Sequence, residues 1–393
     1  MKYFPIFFFS LIIVVSCHNN STTASNTSTT VLKDSIENTD WALLPFVKID
    51  SVNPIMAPGT NSFIDPILHT TVLWEQKDVF NPAIVVKDNK VYMLYRAQDK
   101  IGKPDGTSRI GLAISEDGIH FKRMNAPVLY PTNDAYKKLE WQGGCEDPRV
   151  VEDDKGEYYM TYTAFDGDSA RLMIATSKDL LNWKKEGHVF ASAFNGKYVN
   201  TWTKSGSIVC KYENGKAVAT KINNKYWMYW GDCFIWSATS DDLIHWTPVE
   251  MTNDEKPIVE LKSHAVAMPR LKIVIPTRNK KFDSDLVEPG PPAMLTDKGI
   301  LLIYNSRNIP SIGDSLLAEG TYAAAQVLLD KNDPTKILHR MNTYFIKPDK
   351  KYEYSGQVNN VCFLEGLAFF KNKCYLYYGT ADSKIAVAVK EMK

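Results

Sequence analysis

A tyrosine-rich segment recurs along this chain: VYMLYRA at 91–97, YYMTYTA at 158–164, KYWMYWGD at 225–232, GILLIYNS at 299–306 and CYLYYGTAD at 374–382. Aligned on Tyr95, Tyr162, Tyr229, Tyr304 and Tyr377, the copies lie 67, 67, 75 and 73 residues apart. That period is too long for a solenoid repeat and suits a large propeller blade. A second motif follows three of the copies: IGLAISEDGIHF from 110, LMIATSKDLLNW from 172 and IWSATSDDLIHW from 235. Its alternation predicts a half-buried strand, and its Ser and Asp begin a turn that returns Phe121, Trp183 or Trp246 to the sheet. Long amphipathic helical patterns are missing, while Pro and Gly punctuate the chain at short intervals. The pattern predicts an all-β fold, a five-bladed β-propeller whose innermost strands converge around one axis and bring one end of each strand to a shared pocket.

The amino terminus is of another kind. Met1 and Lys2 lead into a nearly unbroken apolar run from Pro5 to Val15, closing on Val14-Val15-Ser16-Cys17. The run is too short to span a bilayer and reads as a signal peptide over 1–16, with a small residue directly before a cysteine as in a bacterial lipobox. Cys17 is then the lipidation site and the membrane anchor; ordinary cleavage near Ser16 is the plainer alternative. From His18 to Thr30, eleven of thirteen residues are Ser, Thr or Asn, so 17–39 reads as a flexible tether. The expected catalytic domain is 40–393. The implied location is the bacterial cell envelope, periplasmic or associated with the outer membrane.

Composition narrows the partner. With 46 basic and 45 acidic residues the net charge is +1, which offers no positive field for nucleic acid. Aromatics at 12 %, including nine Trp and twenty Tyr, suit strands and also suit stacking on sugar rings. Beyond Cys17 there are Cys145, Cys210, Cys233, Cys362 and Cys374 without CxxC spacing, so no zinc site and no dense disulfide framework is indicated, although one or two bridges stay open. The seven histidines are scattered without HxxxH spacing, and His120 and His245 fall in turns. No metal and no cofactor is implied.

The densest chemical constellation is WQGGCEDPRV at 141–150, where Gly143 and Gly144 allow close backbone approach, Glu146 and Asp147 are adjacent acids, and Pro148 stiffens the turn before Arg149. On its own this motif is equally readable as a structural ion-pair turn. Together with FNPA and YRA upstream, the repeated ATSxDLxxW and the closing YYGTAD, EDPR resembles glycoside hydrolase family 130 from about Phe80 to the carboxyl terminus. The resemblance implies a five-bladed propeller acting with inversion on β-mannosides in a mannose-containing oligosaccharide, as a phosphorylase or as a hydrolase of β-1,2 linkages. It also implies Asp147 as general acid, protonating the leaving oxygen through a substrate hydroxyl. Expelling a sugar alkoxide needs such an acid near neutrality and a second group that delivers the nucleophile from the opposite face.

Family phosphorylases hold phosphate with a His after the fourth-strand Tyr and a basic residue before the GPP turn. Here Tyr304 is followed by Asn305, and Glu288 precedes GPP, so positive charge is lost and an acid is gained. Glu288 is the candidate base for activating water, with Asp232 of YWGDC as a second acid where hydrolytic members carry a glutamate. The plainer readings are a strand-capping turn for Asp232 and a solvated loop acid for Glu288. Asn81, Arg96, Arg149 and Asp382 match polar positions of the family's glycone site, although Arg96 or Asp382 also fits a core ion pair; Lys204 and Asn305 complete the expected substrate contacts. Lys204 and Arg278 are cations that leave a residual phosphate pocket open. The competing readings are a phosphorylase of the same family, a furanosidase-like propeller, a non-catalytic glycan-binding lipoprotein and a structural interaction propeller.

Overall fold

The computed structural model describes residues 39–261 and 263–392. The expected leader, the lipidation site at Cys17 and the tether up to residue 38 lie outside the described residues. What is described is nearly all β, with helical turns only as short as Lys137–Glu140 and Lys351–Tyr354.

Every tyrosine-rich segment is the second strand of an antiparallel meander. The first meander runs Asp78–Lys87, Lys90–Gln98, Ser108–Ser115, Lys122–Arg123. The second runs Gly144–Glu152, Tyr158–Phe165, Ala170–Ser177, Lys184–His188. The third joins Ser207–Glu213, Tyr226–Trp230, Ile235–Ser240 and Trp246–Pro248. In the fourth, Gly290-Pro291-Pro292 splits the entry strand into Leu286–Pro289 and Ala293–Thr296, since proline cannot donate to a ladder. Both pieces pair with Gly299–Arg307, and Tyr322–Leu329 and Ile337–Arg340 follow. The last meander, Cys362–Phe370, Lys373–Thr380 and Lys384–Glu391, takes its fourth strand from the other end of the chain, Val47–Lys48.

The entry strands are buried on both faces, which is why Asp78–Lys87 and Gly144–Glu152 carry near-continuous apolar stretches instead of strict alternation. Aromatic wedges fill the space between meanders; Phe190 of the second packs at 4.8 Å from Trp230 of the third, itself 5.1 Å from Trp236. The SxD turns are structural as expected: Asp117, Asp179 and Asp242 each accept two backbone N–H groups of their own turn. The returning indoles of Trp183 and Trp246 donate to the carbonyls of Leu180 and Leu243. His120 and His245 are exposed and bonded to those turn acids. All five described cysteines are buried and unbridged, which closes the disulfide question for this part of the chain.

The tyrosines do more than pack. Tyr95, Tyr162, Tyr304 and Tyr378 each donate a hydroxyl hydrogen bond, at 2.8–2.9 Å, to a buried acid: Glu75, Glu140, Asp283 and Glu353 respectively. Each acid is neutralised by a cation, namely Arg123, Lys185, Arg278 with Arg340, and Lys48. Buried carboxylates persist only with such partners. In the third meander Tyr229 instead donates to the carbonyl of Pro334.

Candidate active site

The five meanders bring their entry strands together at one place, and each strand is irregular there. Bulges fall at Asn81, at Asp147 and at Glu365. Asn81 and Asp147 both have φ of +48°, a left-handed conformation that short polar side chains tolerate. Ser205, at φ +59°, precedes the third entry strand, and Glu288 is the penultimate residue of the first half of the fourth. A polar residue followed by Pro or Gly therefore recurs as Asn81-Pro82, Asp147-Pro148, Ser205-Gly206, Glu288-Pro289 and Glu365-Gly366. Glycine is required at the last of these because a Cβ on Gly366 would collide with the carbonyl of Pro82 and with Ile84. Gly144, at φ +113°, similarly lies against the backbone of Ser108.

These residues touch. Asn81 donates to Asp147 at 2.9 Å, and the Arg96 guanidinium reaches Asp147 at 3.0 Å and Glu146 at 2.6 Å while lying 4.5 Å from the Phe80 ring. The Lys204 ammonium stands 3.5 Å from Asp147 and 3.2 Å from Glu288. Ser205 donates a hydrogen bond to Glu288. Asp232, half-buried, accepts the indole N–H of Trp202 at 2.9 Å, and Trp202 meets Phe165 edge-on at 6.4 Å. Asn81, Arg96, Asp147, Lys204 and Glu288 thus form one contact network. Asp232 and Asp382 lie near enough to act on its charges.

Six carboxyl groups, Glu146, Asp147, Asp232, Glu288, Glu365 and Asp382, face three cations, Arg96, Arg149 and Lys204, so the cluster cannot be fully ionised without an excess of negative charge. Burial pushes Glu288 up, with Asp232 adding to the effect and Lys204 and Ser205 opposing it. Burial also raises Asp382, which Arg96 only partly offsets, to about 7. Burial alone would raise Asp147 too, but Arg96, Lys204 and the Asn81 amide outweigh it and hold this carboxyl well below its usual range. The expectation of an acid kept protonated at Asp147 is therefore corrected for the resting site: its surroundings favour the carboxylate, while burial raises Glu146 and Asp382 beside it.

Two further expectations change. Arg149 does not offer its guanidinium to a ligand; it is buried and donates to the carbonyls of Gly290, Pro289 and Asp147. Asn305 is fully buried, and its amide both donates to the carbonyl of Leu364 and accepts from the Leu364 N–H, stapling the fourth meander to the fifth. It stands opposite Glu288 in the strand register, which explains why its position resembled a contact residue. Arg278, the other candidate phosphate cation, is held by both oxygens of Asp283 and by the carbonyl of Met341. Ser205, Glu365, Trp202 and Ser108, whose hydroxyl accepts from Arg96 and donates to Glu146, were not singled out from sequence. The recurrence of a polar residue before Pro or Gly in each entry strand is the signal that would have found Ser205 and Glu365.

Comparison with known proteins gives a consistent result. The family model for glycoside hydrolase family 130, described as beta-1,4-mannooligosaccharide phosphorylase, matches residues 68–393. A 1,2-beta-oligomannan phosphorylase from Thermoanaerobacter sp. (strain X514) is 34 % identical over 331 residues, covering 81 % of this chain and 92 % of the relative. A glycosyl hydrolase from Bacteroides ovatus superposes with a TM-score of 0.82 at 45 % identity, covering 90 % of this chain and 95 % of that one. Another solved structure, at TM-score 0.83 and 45 % identity with the same coverage, comes from work describing glycoside hydrolases within this family of mannoside phosphorylases that target β-1,2 mannosidic linkages in Candida mannan.

Proposed function

The chain belongs to glycoside hydrolase family 130, and from that premise we propose that it is an inverting hydrolase of β-1,2-linked mannosides, built as a five-bladed propeller. The observation that carries this reading is Glu288: a buried acid, bonded to Ser205 and Lys204, at the point where a phosphorylase would require a cation. An anion entering there would meet Glu288, Asp147 and Asp232, with Lys204 already compensated by the first two. Arg278, bound to Asp283, gives phosphate no further hold.

In this mechanism Glu288, raised by burial, takes the proton of a water that attacks the anomeric carbon. Asp147 sits on the leaving-group side, oriented by Asn81 and Arg96. Because Asp147 is held ionised in the resting site, its proton comes from the adjacent Glu146 or from Asp382, whose carboxyls burial raises, and the reactive form is a minor arrangement of these shared protons. Trp202, held by Asp232 against Phe165, presents an aromatic ring beside the reacting groups, a surface suited to a sugar.

The deciding assay is release of mannose or mannose 1-phosphate from β-1,2-mannobiose, with and without phosphate. The expected result is phosphate-independent mannose release, reduced at least about 1,000-fold in Asp147→Asn and in Glu288→Gln. Release of mannose 1-phosphate only when phosphate is present would establish the second reading, a phosphorylase, which the 34 % identical oligomannan phosphorylase favours. Binding without turnover would leave a glycan-binding protein. We also infer export and lipidation at Cys17 from the amino-terminal sequence. Cys17→Ala should move the protein from the membrane to the soluble fraction of fractionated cells, and an unchanged distribution would refute the anchor.

A further inference from the structure

Glu365 has no part in the chemistry described above, yet it occupies the same bulge position in the fifth entry strand that Asp147 occupies in the second. Its side chain is fully buried, and neither carboxyl oxygen has a hydrogen-bond partner among the described residues. Its nearest charge is Arg149, whose Nη2 lies 3.5 Å from Oε2. The same guanidinium donates from Nε to the carbonyl of Gly290 at 2.7 Å, from Nη2 to that of Pro289 at 2.7 Å, and from Nη1 to that of Asp147 at 3.3 Å. Arg149 therefore ties the backbone of the Asp147 bulge to the turn that follows Glu288, and Glu365 bounds it on the remaining side.

We propose that Glu365 is a positioning residue: by confining the Arg149 guanidinium, it sets the separation between the Asp147 and Glu288 carboxylates. An unsatisfied carboxyl at full burial costs stability, and an apolar side chain of similar volume would fill the space without that cost. A fixed spacing between Asp147 and Glu288 gives a reason for a carboxyl there. The groups that face Glu365 are Asp147 and Arg149 from the second entry strand, Lys204 from the segment before the third, and Glu288 from the fourth. Burial raises the Glu365 carboxyl well above its ordinary range, Asp147 and Glu288 add to this, and Arg149 and Lys204 oppose it. This shift favours the protonated carboxyl, of which glutamine is the close steric mimic.

The role rests on the hydrolytic reading of the site, and its test separates the two. Kinetics on β-1,2-mannobiose, melting curves and a pH profile are measured for wild type, Glu365→Gln and Glu365→Ala. In Glu365→Gln, kcat should stay within about threefold of wild type and the limbs of the pH profile should not move. In Glu365→Ala, kcat should fall about 10- to 100-fold with KM nearly unchanged, the scale expected of displaced catalytic groups. The idea is overturned if Glu365→Ala keeps its kcat, if both variants lose it equally, or if the loss vanishes once rates are corrected for the folded fraction. Should wild type release no product, the functional reading fails, and crystal structures of wild type and Glu365→Ala decide the positioning role alone. An Asp147-to-Glu288 separation that changes by more than about 0.5 Å supports it, and a smaller change overturns it.

Discussion

Asp382 shows how a single side chain can couple the site to the stability of the fold. Its carboxyl is raised to about 7 chiefly by burial, whereas in the unfolded chain it titrates at the ordinary 3.8. The folded state thus keeps a proton that the unfolded state gives up between about pH 4 and 7, so stability falls as pH rises through that window and the contribution is fully lost above about 7. Asp382→Asn should flatten this dependence and stabilise the protein at pH 8 relative to wild type, by on the order of 1–2 kcal/mol after allowing for partial exposure, with a correspondingly higher melting temperature. Thermal denaturation at pH 5 and pH 8 checks it, and parallel curves for the two proteins would refute it. At this scale the sequence named the right neighbourhood: Asn81, Arg96, Asp147, Lys204 and Glu288 do meet. What it could not supply was ionisation. That Asp147 is held toward its carboxylate while burial raises Glu288 and Asp382 depends on which cation lies beside which oxygen, and the side chains that decide this come from different meanders.

Among the elements, the tyrosine-rich strands were readable because their alternation and spacing are local properties, and each is a strand in the structure. Their hydroxyl partners were not: Glu75, Glu140, Asp283 and Glu353 lie 20, 22, 21 and 25 residues upstream in connecting segments, a recurrence too distant for strand or helix periodicity to reveal. The same limit misplaced Asn305. Its neighbour in sequence is the anchoring Tyr304, but its amide reads the backbone of Leu364, 59 residues away. Asn305→Ala should therefore destabilise the protein by about 2–3 kcal/mol, leaving a buried N–H and C=O unpaired, while KM for β-1,2-mannobiose stays within about twofold. Urea denaturation and steady-state kinetics measure both quantities. A large rise in KM with unchanged stability would restore Asn305 to the substrate site.

For the molecule as a whole, the repeat foretold an all-β chain with five tyrosine-rich strands but not how the last meander is completed. The last meander is finished by Val47–Lys48, paired with Val389 and Ala388, and Lys48 also reaches the buried Glu353 at 2.8 Å and Asp349 at 2.7 Å. Lys48→Met removes the cation from Glu353 and should cost about 3 kcal/mol or more, lowering the urea midpoint without changing kcat. A midpoint equal to wild type would show that the pairing contributes little. The sequence gives no sign of this arrangement, because a two-residue strand carries no periodicity and its partner lies more than 300 residues away. The pairing has a mechanical consequence as well. A pull that reaches Val47–Lys48 loads the strand Lys384–Glu391 directly, so strain carried along the amino-terminal segment passes into the carboxyl-terminal strand.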